Sequence, residues 1–253
     1  MNLRNFVRRL GLAAVLPLVL GLAACGKGGE SDTAGLSGEP IAAIAPPAGK
    51  LWTETVNISP DGGYVMGNPD APIKVIEYGS LTCPHCAEFA ETSGVELRDQ
   101  FIASGRVSYE FRNVIRDGID LTLAQMVRCG APESFFALTD QVFANQKSFF
   151  ETAQNAGKDQ QDSAFKAAPA QRGMAIANLI GAPDFFAARG VGKDQLGKCL
   201  ADSAAAEKLA TLSNEQGQKY GIEGTPTFFI NGKKEDFNTW PLLKDALMKA
   251  GAR

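Results

Sequence analysis

Two cysteines three positions apart, in Cys83-Pro84-His85-Cys86, are where residue type and spacing could do chemistry. A C-x-x-C at the start of a helix brings two sulfurs within bonding reach. It also sets the first sulfur on the positive end of the helix dipole, where unpaired backbone N–H groups stabilise a thiolate. Cys83 is therefore expected to have a lowered pKa and to be the attacking and leaving sulfur, with Cys86 resolving the mixed disulfide. His85 adds a second stabiliser, by hydrogen bond or as imidazolium. Pro84 falls early in the helix, where its missing N–H costs nothing. The competing readings are a permanent disulfide or half of a zinc site. A zinc ribbon needs a second C-x-x-C, which the chain lacks, and c-type haem needs a histidine after Cys86, where Ala87 stands. Redox use of the pair follows, with no metal.

Composition narrows the rest. His85 is the single histidine among 253 residues, so an H-E-x-x-H zinc hydrolase is excluded and any imidazole mechanism must use His85. With 45% hydrophobic and 21% charged residues, the chain reads as ordinary globular protein. A net charge of −3 argues against nucleic acid, whose phosphates need a surplus of Lys and Arg.

The elements that must position the pair are legible around it. Residues 73–78, IKVIEY, form a β-branched and aromatic run bounded by Pro72 and Gly79, a buried strand. Thr82 can cap a helix that runs from about Cys83 through Phe89, Val95, Leu97 and Phe101 to Ser104, with Gly94 a kink. Residues 106–112 alternate as Val107, Tyr109 and Phe111, giving a second strand. Strand, helix, strand of this length is a βαβ unit with parallel pairing. Near the C-terminus, residues 227–230 form a strand, Asn231-Gly232 a tight turn and residues 233–236 the partner strand. A final amphipathic helix carries Leu242, Leu243, Ala246 and Leu247. Residues 119–220 between the halves have helical spacing and no convincing strand. Their stripes Leu123, Met126, Val127; Phe135, Phe136, Val142, Phe143; and Ile176, Leu179, Ile180 read as core. Residues 152–166 read as a surface loop or a weak helix. The predicted fold is α/β, a sheet domain interrupted by a helical insertion.

The N-terminus reads as an address. Arg4, Arg8 and Arg9 precede a short apolar run, broken by Gly11 and Pro17, that is too short to span a bilayer. It ends in Leu22-Ala23-Ala24-Cys25, which resembles the lipobox of bacterial lipoproteins. That resemblance implies a signal peptide over residues 1–24 and diacylation of Cys25; the alternatives are an uncleaved anchor or a plain secretory signal. Residues 26–50, rich in Gly, Ala, Pro and Ser, read as a flexible tether with a reach of about 28 Å. The folded domain is then residues 51–253, on the periplasmic side of a bacterial membrane, where disulfides persist.

With these elements in place, the sequence resembles the thioredoxin superfamily, and within it the DsbA-like thiol oxidoreductases, over about residues 64–250. Three features carry the resemblance: the CPHC motif; Gly224-Thr225-Pro226-Thr227, similar to the cis-proline loop facing the C-x-x-C; and Glu77, six residues before Cys83, where the superfamily keeps a buried acid. The resemblance implies a thioredoxin-like fold with a helical insertion between its βαβ and ββα halves. It also implies proton transfer between Glu77 and Cys86, and substrate binding at Thr225 and Pro226. Strong oxidants of the group tend to carry Val before the cis-proline, and the isomerase-like relatives tend to carry Thr, as here. In an exported protein the remaining pair, Cys129 and Cys199, more often bridges than stays as two buried thiols. The expected activity is thiol:disulfide exchange without a cofactor. Its substrates are cysteine-containing exported proteins, and a membrane redox partner reoxidises the pair. The alternatives are a reductase or isomerase held reduced, or a Cu(I)-handling module using the two thiolates.

Overall fold

The computed structural model describes residues 38–253. The signal segment, the acylation expected at Cys25 and the first part of the tether lie outside the described residues. Among the described residues no helix is long and apolar enough to cross a membrane.

Six strands form one mixed sheet: β1 (Val56–Ile58), β2 (Tyr64–Gly67), β3 (Ile73–Gly79), β4 (Val107–Asn113), β5 (Thr227–Ile230) and β6 (Lys233–Lys234). Their order is β1-β2-β4-β3-β5-β6. β3 and β4 are parallel, with Glu77 opposite Phe111, as the βαβ spacing requires. β5 pairs antiparallel with β3, setting Thr227 beside Tyr78. The helix between β3 and β4, α1 (Pro84–Glu96), is continued by a π-helical turn over Leu97–Ile102.

The insertion is helical throughout: α2 (Gly118–Arg128), α3 (Phe135–Asn155), α4 (Lys158–Lys166), α5 (Pro169–Leu179), α6 (Ala182–Ala187), α7 (Lys193–Ala201) and α8 (Ser203–Tyr220). α9 (Trp240–Lys249) closes the chain. One core joins the insertion to the sheet through Phe111, Phe135, Leu123 and Ile176. A second packs Ile73, Val75 and Val107 against Phe89, Phe101 and Trp240.

The structure departs from the sequence reading at several places. β1 and β2 come before the strand taken as the first; they span three and four residues, too short for a convincing period. Cys83, not Thr82, is the N-cap residue of α1, because the Thr82 hydroxyl is held 3.1 Å from that of Ser80. Val95 and Leu242 face solvent rather than the core. Of the two readings of residues 152–166, loop or weak helix, the structure has the helical one: they are the end of α3 followed by α4.

The largest change concerns the tether, whose second half is part of the fold. Gly38 donates its N–H to Lys249 O at 2.7 Å, Ile41 to Gly251 O at 2.9 Å and Ile44 to Ser104 O at 2.8 Å. Arg106 Nε and Trp52 Nε1 return hydrogen bonds to the Ile41 and Ile44 carbonyls. Two glycines permit this approach: a Cβ on Gly251 would lie 2.5 Å from Glu39 O, and one on Gly105 2.4 Å from Ile44 O. Composition marks the segment as linker, but the glycines that receive it lie far along the chain.

Candidate active site

The strand β3 delivers the chain through Gly79-Ser80-Leu81-Thr82 to the start of α1. Cys83 caps that helix with extended backbone (φ −88°, ψ 122°), Pro84 occupies its first turn, and Cys83 O accepts from Ala87 N–H at 3.2 Å. Both sulfurs are free thiols; Cys83 is 4% exposed and Cys86 wholly buried. The two differ sharply in acidity. Cys83 is pulled down to about 4, chiefly by the hydrogen bond from the Cys86 thiol, then by the Thr225 side chain and the backbone N–H groups of Cys86 and His85, against the opposing pull of burial. Cys86 is pushed far up by that same hydrogen bond, by burial and by the nearby Glu77 carboxylate.

His85 contributes through its backbone. Its imidazole is exposed, with Nδ1 3.6 Å from Glu88 Oε2 on the next turn. Opposite Cys83, the Thr225–Pro226 peptide is cis, and the Thr225 carbonyl accepts a hydrogen bond from Cys83 Sγ at 3.2 Å. The antiparallel pairing of β5 with β3 brings this loop over the helix start. Behind the pair, Glu77 is 1% exposed and its carboxyl is pushed up to about 8, mainly by burial. The Tyr109 hydroxyl donates to Glu77 Oε2, while Oε1 has no partner. The bare backbone of Gly79 leaves room for this carboxylate: a Cβ there would meet Glu77 Oε1 at 2.7 Å and a ring carbon of Phe111 at 2.5 Å. The arrangement offers one thiol poised to ionise, one proton-holding thiol and a buried acid near enough to influence it electrostatically. Among the described residues, no group of three or more His, Cys, Asp or Glu is placed to hold a metal.

A family model described as thioredoxin matches residues 59–249. The chain belongs to the thioredoxin family. It superposes on the crystal structure of protein-disulfide isomerase from Novosphingobium aromaticivorans with a TM-score of 0.70 and 34% identity, covering 74% of this chain and 96% of that one. Wolbachia pipientis alpha-DsbA1 shares the fold at 23% identity and a TM-score of 0.58, covering 75% and 90%. Disulfide bond formation protein D of Bacillus subtilis is 24% identical over 193 residues, covering 74% of this chain and 77% of that protein. A Rickettsia bellii relative is 27% identical over 204 residues, 81% of this chain and 70% of its own length; the chain spans 54% of a Rickettsia felis relative. Its relatives carry the names of protein-disulfide oxidoreductases and disulfide bond formation proteins, and its fold is DsbA-like.

In this thioredoxin-family chain the helical insertion does more than enlarge the core, and two of its residues escaped the sequence reading. Asp120, wholly buried at the start of α2, accepts from Ser80 Oγ at 2.6 Å, Leu81 N–H at 3.0 Å and Arg116 N–H at 3.1 Å. Burial nevertheless pushes its carboxyl up to about 6. Gln146 on α3 donates through Nε2 to the Leu81 carbonyl at 2.9 Å and the Cys83 carbonyl at 3.1 Å. The loop that aims Cys83 is thus clamped from the insertion on both sides. The only hint in sequence was polarity on otherwise apolar helical faces, which by itself reads as solvent exposure.

Cys129 and Cys199 form a disulfide with Cα atoms 5.9 Å apart, joining the C-terminal end of α2 to α7. Asp120 and Cys129 lie toward opposite ends of α2, so one element carries both the clamp and the bridge.

Proposed function

We propose that the protein is an oxidant that passes its Cys83–Cys86 disulfide to cysteine-containing exported proteins on the periplasmic side of a bacterial membrane, anchored through acylated Cys25. The asymmetry of the two sulfurs carries this reading: Cys83 lies at about 4 and Cys86 far above the usual thiol range. A substrate thiolate attacks Cys83 Sγ, the S–S bond breaks, and Cys86 leaves and takes a proton from Glu77. A second substrate thiolate then attacks the substrate sulfur of the mixed disulfide, and Cys83 departs as a stabilised thiolate. A disulfide-bearing membrane partner restores the bond by the reverse sequence.

Only the reduced state has a thiolate to stabilise. Lowering a thiol from ~8.5 to about 4 favours that state at pH 7 by ~4 kcal/mol, making the disulfide more oxidising by roughly 90 mV. Equilibration against glutathione tests the direction. A potential nearer ~−120 mV than ~−270 mV supports the oxidant, and the converse supports a reductase. A reductase or isomerase is the second reading, favoured by Thr225 beside Cys83 and by the likeness to the Novosphingobium isomerase. Anchoring is tested separately: the wild type should sediment with membranes and resist salt, and Cys25→Ser should abolish acylation and leave an unprocessed or differently cleaved protein.

A further inference from the structure

We propose that Asp140 on α3 is the outer station of a water-filled route through which Glu77 exchanges the Cys86 proton with solvent. The inference rests on Glu77 acting as the proton partner of Cys86. Glu77 itself has no open path to the surface along β3, since it lies within the sheet and is 1% exposed. It borders a cavity of about 50 Å³, whose polar lining includes Tyr109, Thr139, Asp140 and Arg98. Two of the lining side chains hold buried oxygens without any partner, Glu77 Oε1 and Thr139 Oγ1. An orphaned buried acceptor or hydroxyl costs about 1–3 kcal/mol. Water relieves that cost, needing roughly 10–15 Å³ and two to four polar partners per molecule, so this cavity has room for more than one.

The cavity adjoins the outside. A surface groove of about 640 Å³ between α1 and α3 shares Ala90, Gly94, Arg98, Asp140 and Phe143 with it. Nothing stands within 4 Å of where a Gly94 Cβ would be, so the helix leaves the boundary unfilled there. Asp140 lies on that boundary and is exposed to solvent. Desolvation by the surrounding protein pushes its carboxyl up to about 6, and Arg98, paired with Asp99 at 2.8 Å, opposes that. Glu88, Glu91 and Lys147 also face the groove, while Glu77 and Tyr109 face the cavity from the sheet. Glu77, pushed up to about 8, and Asp140 therefore form two steps descending toward solvent.

The protons balance in both directions. When the S–S bond breaks, Cys86 takes the bond's electron pair and the Glu77 proton; Asp140 and the cavity water return one from solvent. When Cys86 attacks the mixed disulfide that Cys83 forms with the membrane partner, its proton passes to Glu77 and out by the same path.

The test follows reduction of the oxidised, mature full-length protein by dithiothreitol in stopped flow from pH 5 to 9. Wild type, Asp140→Asn, Asp140→Glu, Thr139→Val and Glu77→Gln are compared. Asp140→Asn should slow the step at pH 7 by up to about tenfold, below the roughly hundredfold or more of a group that transfers the proton directly, and remove an inflection near pH 6. Asp140→Glu should restore both. Small added buffers such as imidazole should speed Asp140→Asn more than wild type, which a merely structural role would not produce. A wild-type rate and profile in Asp140→Asn, with Glu77→Gln slowed, would overturn the route and leave Glu77 as the proton partner. A wild-type profile in Glu77→Gln would remove both.

Discussion

Cys83 and Cys86 lie one helical turn apart at the start of α1 with both sulfurs reduced, whereas Cys129 and Cys199 are 70 residues apart and bonded. The placement of the two leading cysteines is opposite. Cys83 caps the N-terminus of its helix, the positive end of the dipole, and Cys129 the C-terminus of its own, the negative end. A thiolate is favoured at the first and disfavoured at the second. Cleaving the Cys83–Cys86 bond yields a stabilised anion and a protonated thiol beside a buried acid. Cleaving Cys129–Cys199 yields neither, and it releases a long loop. On the proposed function, the same covalent bond is exchangeable in one region and lasting in the other because of what surrounds the reduced sulfurs.

The sharpest test of that contrast is activity. Cys83→Ala should abolish oxidation of a model dithiol peptide, while the double variant Cys129→Ala/Cys199→Ala should keep the wild-type rate. Loss of exchange in the double variant would break the distinction and make the bridge part of the machinery.

A second consequence concerns pH. Because the folded Cys83 pKa of about 4 lies below the unfolded ~8.5, its stabilisation of the reduced protein is complete above ~8.5. It amounts to ~4 kcal/mol at pH 7 and vanishes as pH falls through about 4. Thiolate absorbance against pH, with denaturant unfolding of both redox states, measures this. A midpoint near 7 would remove the oxidant reading.

The bridge should matter to stability in the same range or less. Closing a loop of 70 residues contributes up to about 4 kcal/mol on the chain-entropy model, with strain and residual unfolded structure lowering it. The double variant should unfold at lower temperature, by about 2–4 °C for each kcal/mol lost. An unchanged melting temperature would show that helix packing alone holds α2 to α7.

The smallest effect is expected at the clamp. Gln146→Leu leaves the Leu81 carbonyl without its side-chain donor and the Cys83 carbonyl with Ala87 N–H alone, at about 1–3 kcal/mol. It should also slow exchange modestly by loosening the loop that aims Cys83. Stability lost with exchange untouched would mean that Gln146 serves the core only.

Much of this was legible in one dimension. The C-x-x-C spacing, the strand before it and the helix after it lie within residues 73–96, and such local arrangements are set by period and capping chemistry that a sequence displays. The helical insertion was readable for the same reason, through apolar stripes on residues such as Leu123, Met126 and Ile176. Pairing Cys129 with Cys199 needed only the count of cysteines left over in a chain read as exported.

Tertiary structure alone decided the rest, because each of those features depends on contacts between distant segments. Asp120 and Gln146 reach the Ser80–Cys83 loop from 39 and 63 residues away or more, and a lone polar residue on a helix does not announce its partner. The docking of residues 38–44 depends on glycines at 105 and 251. The acidity of Cys83 owes more to the Cys86 thiol and the Thr225 side chain than to the imidazole of His85 that the motif suggested. Residue types and spacing name the groups that can react, but desolvation and hydrogen bonding set their pKa values, and both arise only when remote parts of the chain close around them.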